Sequence, residues 1–455
     1  MQSNKFDLSD RDNIDHNVRK DSDKSTKLPH IVIVGGGAGG LELVTKLGHK
    51  LAKKKKAKVT LIDRHRVHIW KPLLHEVATG SLDTEIDGVV YRAHAKRHGY
   101  EFQLGTVDFI DRKARTVDLT PLFDEQNNLV VPARSISYDI LVLAIGSVSN
   151  DFGTPGVQTH CSLLDSKSQA QRFQQKLLNN FLQKSALPVT DDKEIKLAIV
   201  GAGATGVELS AELNHLEEVV SVYDANSGVT LSIDLIEAGP RILPALPERI
   251  ADSAKTELEK LGVRVSTTTK ILEAKSDGFI DDSGNMIKAD LMVWAAGVKV
   301  ENWMSKIGLE VNQINQVLAH GTLKSKTDPA IYLVGDCAHV EMDSGEKVPP
   351  RAQSAHQMAD IVATNILREL KGKELKEFVY KDHGSLVNLA RFSTVGSLMG
   401  NLVKGSMFIE GKIARIMYLA LYRMHQLSIH GYLKGPFIIL LSQISKIIRP
   451  KIKLH

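Results

Sequence analysis

Two glycine loops of one kind, each set between a buried-strand run and a helical run, begin 166 residues apart, at Gly35 and Gly201 of this 455-residue chain. The first follows His30-Ile31-Val32-Ile33-Val34, an unbroken apolar, β-branched run that reads as a buried strand. Gly35-Gly36-Gly37-Ala38-Gly39-Gly40 comes next, then a helical stretch predicted over 41–50. In a strand–GxGxxG–helix unit, Gly35 permits the tight turn, Gly37 lets backbone approach a pyrophosphate, and Gly40 lets helix pack on strand. The helix start then offers free N–H groups to phosphate oxygens. A second strand, Val59 to Ile62, ends at Asp63, 23 residues past Gly40, where such a unit places its ribose-hydroxyl acceptor.

The whole pattern repeats. Ile195 to Val200 is a strand, Gly201-Ala202-Gly203-Ala204-Thr205-Gly206 the loop, and Val207 to Leu216 a helix. Thr230 to Ile236 is the next strand, ending at Glu237, 31 residues past Gly206. The longer spacing predicts an inserted loop over Ser221 to Gly228. One such loop is a weak signal, but two complete units imply two dinucleotides on one chain. The pair whose combined chemistry is hydride transfer is a flavin and a nicotinamide dinucleotide. At the second site Glu237 accepts from a ribose 2′-hydroxyl and repels a 2′-phosphate, which favours NADH over NADPH. Arg241 is the residue that would receive such a phosphate.

Composition narrows the class. Cys161 and Cys337 are the two cysteines, without a CxxC pair, which excludes a disulfide framework, a Cys-rich metal centre and a dithiol relay. The histidines, among them His75, His339, His356 and His383, show no metal-ligand spacing such as HExxH, so no metal is expected. Residues 1–29 are polar and lack the apolar core of a signal peptide; they read as a disordered extension. No stretch free of Asp, Glu, Lys and Arg approaches the about 20 residues of a spanning helix.

The net charge of +5 is unevenly placed. Residues 411–455 hold eight Lys or Arg and no Asp or Glu, so the rest of the chain is slightly acidic. Nucleic acid is not an expected partner of that distribution. Lys53 to Lys56 reads as a solvated surface. In the tail, Ile413, Ile416, Met417, Ala420, Leu421, Met424 and Leu427 form an apolar stripe at helical spacing, with Lys412, Arg415, Arg423 and Gln426 on the other side. After Gly435-Pro436, Phe437, Leu440, Leu441, Ile444, Ile447 and Ile448 repeat it, and Pro450 stops it. Tyr418, Tyr422 and Tyr432 suit a headgroup boundary. Two such helices predict a peripheral anchor on an anionic bilayer. Packing against the protein's own core or a dimer partner is the alternative.

The chain resembles the flavoproteins with two dinucleotide-binding domains, in which the first loop holds FAD and the second NAD(P)H. Ile331-Tyr332-Leu333-Val334-Gly335-Asp336 matches the strand whose Asp contacts the flavin ribitol. Leu141 to Ser147 matches the crossover strand, with Ala-Ile-Gly in place of the usual Ala-Thr-Gly. Met292 to Val298 matches the strand leaving the NADH domain. The resemblance implies FAD contacts at Gly35, Gly37, Ala38, Gly39, Gly40, Asp63, Lys71, Gly146, Asp336, Ala352 and Gln353. It implies NADH contacts at Gly201, Gly203, Thr205, Gly206, Glu208, Glu237 and Gly297. The expected fold is α/β: two Rossmann-like domains, the FAD domain interrupted by the NADH domain, with C-terminal amphipathic membrane-binding helices. The expected boundaries are 30–164 and 299–395 for the FAD domain, 165–298 for the NADH domain and 396–455 for the anchor.

Three further segments narrow the resemblance: His68 to Gly80, Pro349 to Gln357, and the cationic tail. Together they resemble the type II NADH:quinone oxidoreductases, respiratory NADH dehydrogenases of bacteria that pump no protons. In that family an Ala-Gln-x-Ala-x-Gln motif lines the quinone site; here it reads Ala352-Gln353-Ser354-Ala355-His356-Gln357. Gln353 and Gln357 share a helix face, and amides suit a carbonyl that becomes a phenol. Glu208 matches a family glutamate near the flavin–nicotinamide contact. At a helix start it gains from the dipole, so a role in positioning NADH is expected, with capping as the plain alternative. The resemblance implies a quinone such as ubiquinone as acceptor, a peripheral place on the cytoplasmic face of the inner membrane, and room for a homodimer. The competing readings are a sulfide:quinone oxidoreductase using Cys161 and Cys337, a soluble NADH-dependent reductase of a carrier protein, and a redox sensor.

Overall fold

A computed structural model describes residues 28–448 except 83, 189–191, 224–227, 343–344, 384, 390–392, 401–402, 411–421 and 432–433. Residues 1–27 of the predicted N-terminal extension and most of the first tail stripe (Ile413 to Leu421, with Tyr418) lie outside these residues, as does Tyr432.

The first apolar run is strand β1 (His30–Val34), and its neighbours explain why it is apolar on both faces. β1 pairs in parallel with β2 (Lys58–Asp63) on one side and β4 (Ile140–Leu143) on the other. β3 (Glu101–Leu104) and β9 (Ile331–Leu333) complete a parallel sheet of order β9-β4-β1-β2-β3. A parallel sheet is covered on both faces and therefore reads as continuous hydrophobic runs. Ile31, Val32 and Ile33 are fully buried. The order reverses between β1 and β4, and a crevice at that switch point is where open α/β sheets bind ligands.

The second run builds a second parallel sheet, β5 (Glu194–Val200), β6 (Thr230–Ile236), β7 (Arg264–Ser266) and β8 (Leu291–Trp294), in the order β7-β6-β5-β8. In sequence it lies between β4 and β9, so the second sheet interrupts the first. The two crossings of the chain meet in a short antiparallel ribbon, Val148–Ser149 with Val298–Lys299. Lys299 Nζ also reaches Asp151 Oδ1 at 2.9 Å beside it.

Two helix limits differ from expectation. Helix α1 spans Ala38–Leu47 and continues as a wider turn over Gly48–Ala52. Helix α4, after the second loop, spans Ala204–Tyr223, so it takes in Ser221 to Tyr223, predicted as loop. The sequence has no Gly or Pro between Gly206 and Gly228, so nothing stops the helix at Leu216. A three-stranded antiparallel sheet, Ser385–Leu389, Ser393–Gly400 and Val403–Glu410, precedes the tail and was not foreseen.

Beyond it, residues 422–430 are helical, and a final helix spans Gly435–Ile448. No helix among the described residues is long and apolar enough to cross a membrane. The helix 422–430 turns Tyr422, His425, Gln426 and Ile429 inward, all buried, and leaves Met424 exposed. Tyr422 was expected at a headgroup boundary and Gln426 on the polar outer face; both are instead buried, because Tyr422 packs against Trp70 and the second core. Phe437, Leu440, Leu441 and Ile444 of the final helix are exposed, between 43% and 63%.

Candidate functional site

Each glycine loop lies at the carboxyl end of its first strand, and both are built alike. Gly35 and Gly201 have φ of +100° and +102°, a region that L side chains rarely adopt. A Cβ on Gly40 would lie 1.9 Å from the Gly35 carbonyl oxygen, and one on Gly206 2.0 Å from that of Gly201. These four glycines are required by the backbone itself. Gly37 and Gly203 are different: a Cβ on either would meet nothing within 4 Å. The middle glycine of each loop therefore faces an open cradle rather than protein. No side chain caps the α1 start, so its first-turn N–H groups are left for another acceptor.

The two acids at the strand ends are also equivalent. Asp63 Oδ2 accepts from Gly36 N–H at 2.7 Å, and Glu237 Oε2 accepts from Ala202 N–H at 2.8 Å. Each carboxylate braces the second residue of its own loop. It retains further lone pairs for ribose hydroxyls, since an ionised carboxyl accepts about four hydrogen bonds. At the first loop a cleft is lined by Gly35, Asp63, Arg64, Gly105, Glu301 and Trp303. Glu301 fixes its lip, accepting from Arg64 and from Trp303 Nε1. Arg241 donates to the carbonyls of Leu246 and Pro244 at 2.8 and 2.9 Å, so its guanidinium holds its own loop rather than an open phosphate site.

Around the first cradle, Asp336 lies in the turn Gly335–Cys337 and accepts from Ser147 Oγ at 2.6 Å. Gly146, φ +71°, precedes that serine. Lys71 donates to the Ser147 carbonyl at 2.6 Å. Lys71, Gly146 and Asp336 are thus gathered at one place, with Ser147, which the sequence reading passed over, as the link. Helix α5 spans Ala352–Glu369, so the Ala-Gln-x-Ala-x-Gln motif forms its first turns. It packs on both the Gly335 turn and α1: the Ala355 Cβ is 3.2 Å from a Cβ placed on Gly335 and 3.3 Å from one on Gly39. α1 and α5 run side by side in the same direction, with Glu42 meeting His356 and Lys46 meeting Asp360. Both helix starts therefore face the same end of the first sheet.

Gln353 Nε2 donates to Tyr380 Oη at 2.8 Å and Asp382 Oδ1 at 3.0 Å. Gln357 exchanges hydrogen bonds with the backbone of Lys381, at 2.8 and 3.0 Å. The two glutamines do share a face, and that face holds residues 380–382 across the start of α5. Glu208, in the first turns of α4, is buried, with Oε2 3.5 Å from His75 Nδ1. Burial pushes His75 down to about 4, so it is neutral at pH 7. One turn on, Glu212 accepts from Ser81 Oγ at 2.5 Å. Glu208 thus ties the second domain to the segment 68–80, which also carries Lys71. Gly297, φ +58°, stands at the ribbon joining the two sheets.

The cysteines are not brought together. Cys337 is fully buried in the core of the first sheet and donates to the Leu143 carbonyl, whereas Cys161 packs beside the second sheet. Burial pushes their thiols up to about 11 and about 12, which disfavours the reactive thiolate. Among the described residues no group of His, Cys, Asp and Glu is arranged to hold a metal. Exchanging both cysteines for alanine is expected to leave NADH turnover unchanged. A large loss of flavin reduction or acceptor turnover in that variant would restore the sulfide:quinone alternative.

Residues 29–359 match the model of the pyridine nucleotide-disulphide oxidoreductase family. A type II NADH:quinone oxidoreductase of Haemophilus influenzae is 46% identical over 444 residues, 94% of this chain and all of that one. The chain belongs to the type II NADH:quinone oxidoreductases. The Staphylococcus aureus member is 30% identical over 82% of this chain and 91% of its own. Among solved structures, NDH2 of Plasmodium falciparum in complex with NADH superimposes with a TM-score of 0.79 at 21% identity, over 94% of this chain and all of that one. The sulfide:quinone oxidoreductase of Aquifex aeolicus gives 0.67 at 16% identity, over 92% of this chain and 95% of its own. At those identities the two structures speak for the fold alone. Both kinds of enzyme share it, so fold does not separate them; sequence identity and the separated cysteines do.

Proposed function

We propose that this chain oxidises NADH and reduces a membrane quinone through bound FAD, working at the cytoplasmic face of the membrane without pumping protons. The observation that carries this reading is the pair of open cradles at Gly37 and Gly203 on one chain, with the Ala352–Gln357 motif opening a helix over the first. Bound FAD supplies the two-electron chemistry that links the two substrates. The chain's own part is positioning. Gly35 to Gly40 and Asp63 hold one dinucleotide; Gly201 to Gly206 with Glu237 hold the other. Lys71, Ser147 and Asp336 fix the surroundings of the flavin, and Glu208 sets the nicotinamide end against it. Gln353 offers an amide to the quinone, and Gln357 secures the strap 380–382 that frames that opening. The engagement of Arg241 by its own loop supports NADH over NADPH.

The exposed apolar face of the final helix and the basic tail support attachment to an anionic lipid surface. A quinone dissolved in lipid requires that placement. Anaerobic titration of the purified holoprotein tests the reading. About one equivalent of NADH is expected to bleach the flavin absorbance, and quinone alone is expected to restore it. Recovery only on adding a carrier protein would favour the soluble-reductase reading; absence of bleaching would remove the NADH site.

A further inference from the structure

A hydrogen-bonded chain of titratable groups runs beneath the start of α5, and neither nucleotide cradle uses it. Glu42, on the buried face of α1, is 1% exposed. Its Oε2 meets His356 Nδ1, and its Oε1 meets His425 Nδ1 at 2.7 Å. His425 Nε2 is 3.0 Å from His68 Nε2, and His68 Nδ1 is 2.9 Å from the Gly36 carbonyl. One chain of contacts thus joins the quinone motif, α1, the C-terminal helix 422–430 and the first glycine loop.

The directions of these bonds fix the protons. A carbonyl only accepts, so His68 carries its hydrogen on Nδ1. Burial, with the neighbouring His425 adding to it, pushes His68 down to about 3, so it is neutral and its Nε2 accepts. His425 therefore donates from Nε2. Burial pushes the Glu42 carboxyl up, but hydrogen bonds from His356 and His425 together hold it at about 2. As an ionised carboxylate Glu42 only accepts, so His425 donates to it from Nδ1. His356 likewise donates to Glu42 from Nδ1. The outer member of the chain, His356, is 35% exposed and stands three residues past Gln353.

We propose that His356 hands the quinone its solvent-derived proton, with Glu42 and His425 behind it as positioning residues. This rests on the quinone reading of the α5 start. Oxidation of NADH by a quinone consumes one proton from water. The hydride brings two electrons and one hydrogen nucleus, and the second O–H bond of the quinol needs an acid. In the proposed step the Nε2–H bond of the His356 imidazolium breaks as the O–H bond forms. Water at the exposed ring edge then returns the proton. The hydrogen bond to Glu42, working against burial, raises His356 above an ordinary imidazole. The other charges facing the pair are Lys46, 4.0 Å from Glu42, and Asp360, which pairs with Lys46. Lys46 lowers and Asp360 raises the same group.

The test compares His356→Asn and Glu42→Gln with the wild-type holoenzyme, using a quinone and ferricyanide, which takes electrons without protons. In His356→Asn, quinone turnover is expected to fall about 10²-fold, the scale of a lost general acid, and ferricyanide turnover far less. Wild-type quinone turnover is expected to fall as pH rises through the raised His356 value. In Glu42→Gln that alkaline limb moves to lower pH. Imidazole ¹⁵N–¹H spectra of the full chain read the same shift without turnover: His356 titrates at higher pH in the wild type than in Glu42→Gln. Equal loss with both acceptors, or wild-type quinone turnover and pH profile in His356→Asn, overturns the proposal. A wild type that reduces ferricyanide but no quinone overturns the quinone reading and takes this proposal with it, while the spectra still report the His356–Glu42 pair.

Discussion

Gly37→Leu is expected to give a folded protein that purifies without FAD and turns over no NADH, while Gly203→Leu keeps its FAD and loses affinity for NADH. The backbone allows both changes. Gly37 has φ −64° and ψ −167°, which any residue adopts, and neither position has protein within 4 Å of a new Cβ. The leucine side chain instead fills the space where a pyrophosphate would approach the backbone. At the first loop that removes a cofactor, so every acceptor fails together. At the second it removes a substrate contact, and the KM for NADH is expected to rise by about two orders of magnitude, equivalent to about 3 kcal/mol. Gly40→Leu is the contrasting case. Its Cβ would lie 1.9 Å from the Gly35 carbonyl, so that variant is expected to misfold rather than fold empty. Flavin absorbance per chain, circular dichroism and steady-state NADH kinetics separate the three outcomes. FAD retained at wild-type stoichiometry in Gly37→Leu would remove the first loop from the flavin site.

The glycine loops were legible in the sequence because their requirements are local. A positive φ, a close helix–strand approach and an acid at the next strand end are each set within a few tens of residues. The parallel sheets followed from the same runs, since Ile31 to Ile33 are apolar without alternation. What the sequence did not show was long-range. Glu42 sits within Gly39-Gly40-Leu41-Glu42-Leu43-Val44, a buried stretch of helix. A carboxylate there was the available signal that it must have partners. Those partners, His356 and His425, lie more than 300 residues away in sequence, and no local rule connects them. Ser147 escaped for the same reason, since its partner Asp336 is 189 residues off. The tail shows the limit of periodicity. The stripe ending at Met424 and Leu427 identified a helix but not which face is covered. The face with His425, Gln426 and Ile429 is buried because His425 finds Glu42 and His68 in the body, while Gln426 accepts from Arg423 of its own helix.

That orientation gives two C-terminal truncations different outcomes. Ending the chain at Gly431 removes the final helix with its exposed Phe437, Leu440, Leu441 and Ile444. The remaining protein is expected to stay folded and FAD-loaded, to oxidise NADH with ferricyanide, and to leave anionic vesicles. Ending it at Glu410 also removes the helix 422–430. Glu42 then keeps His356 but loses the hydrogen bond from His425, and a buried carboxylate oxygen left without its donor costs about 1–3 kcal/mol. Trp70 loses the ring of His425, 4.1 Å away, and His94 loses the Ile429 carbonyl that it meets at 3.0 Å. Burial of Ile429 alone contributes roughly 1.5–3 kcal/mol more. The shorter protein is therefore expected to lose stability as well as lipid binding, and to release FAD on mild heating, since His68 and Gly36 stand at the other end of the same contacts. Vesicle flotation and thermal unfolding followed by flavin fluorescence read the two effects separately. Equal thermal stability of the two truncations would show that the helix 422–430 is not held by the body, and flotation of the Gly431 truncation with anionic vesicles would remove the final helix from membrane attachment. The C-terminal segment thus divides in two, one helix completing a buried hydrogen-bond network and the next leaving apolar side chains exposed for the proposed lipid attachment.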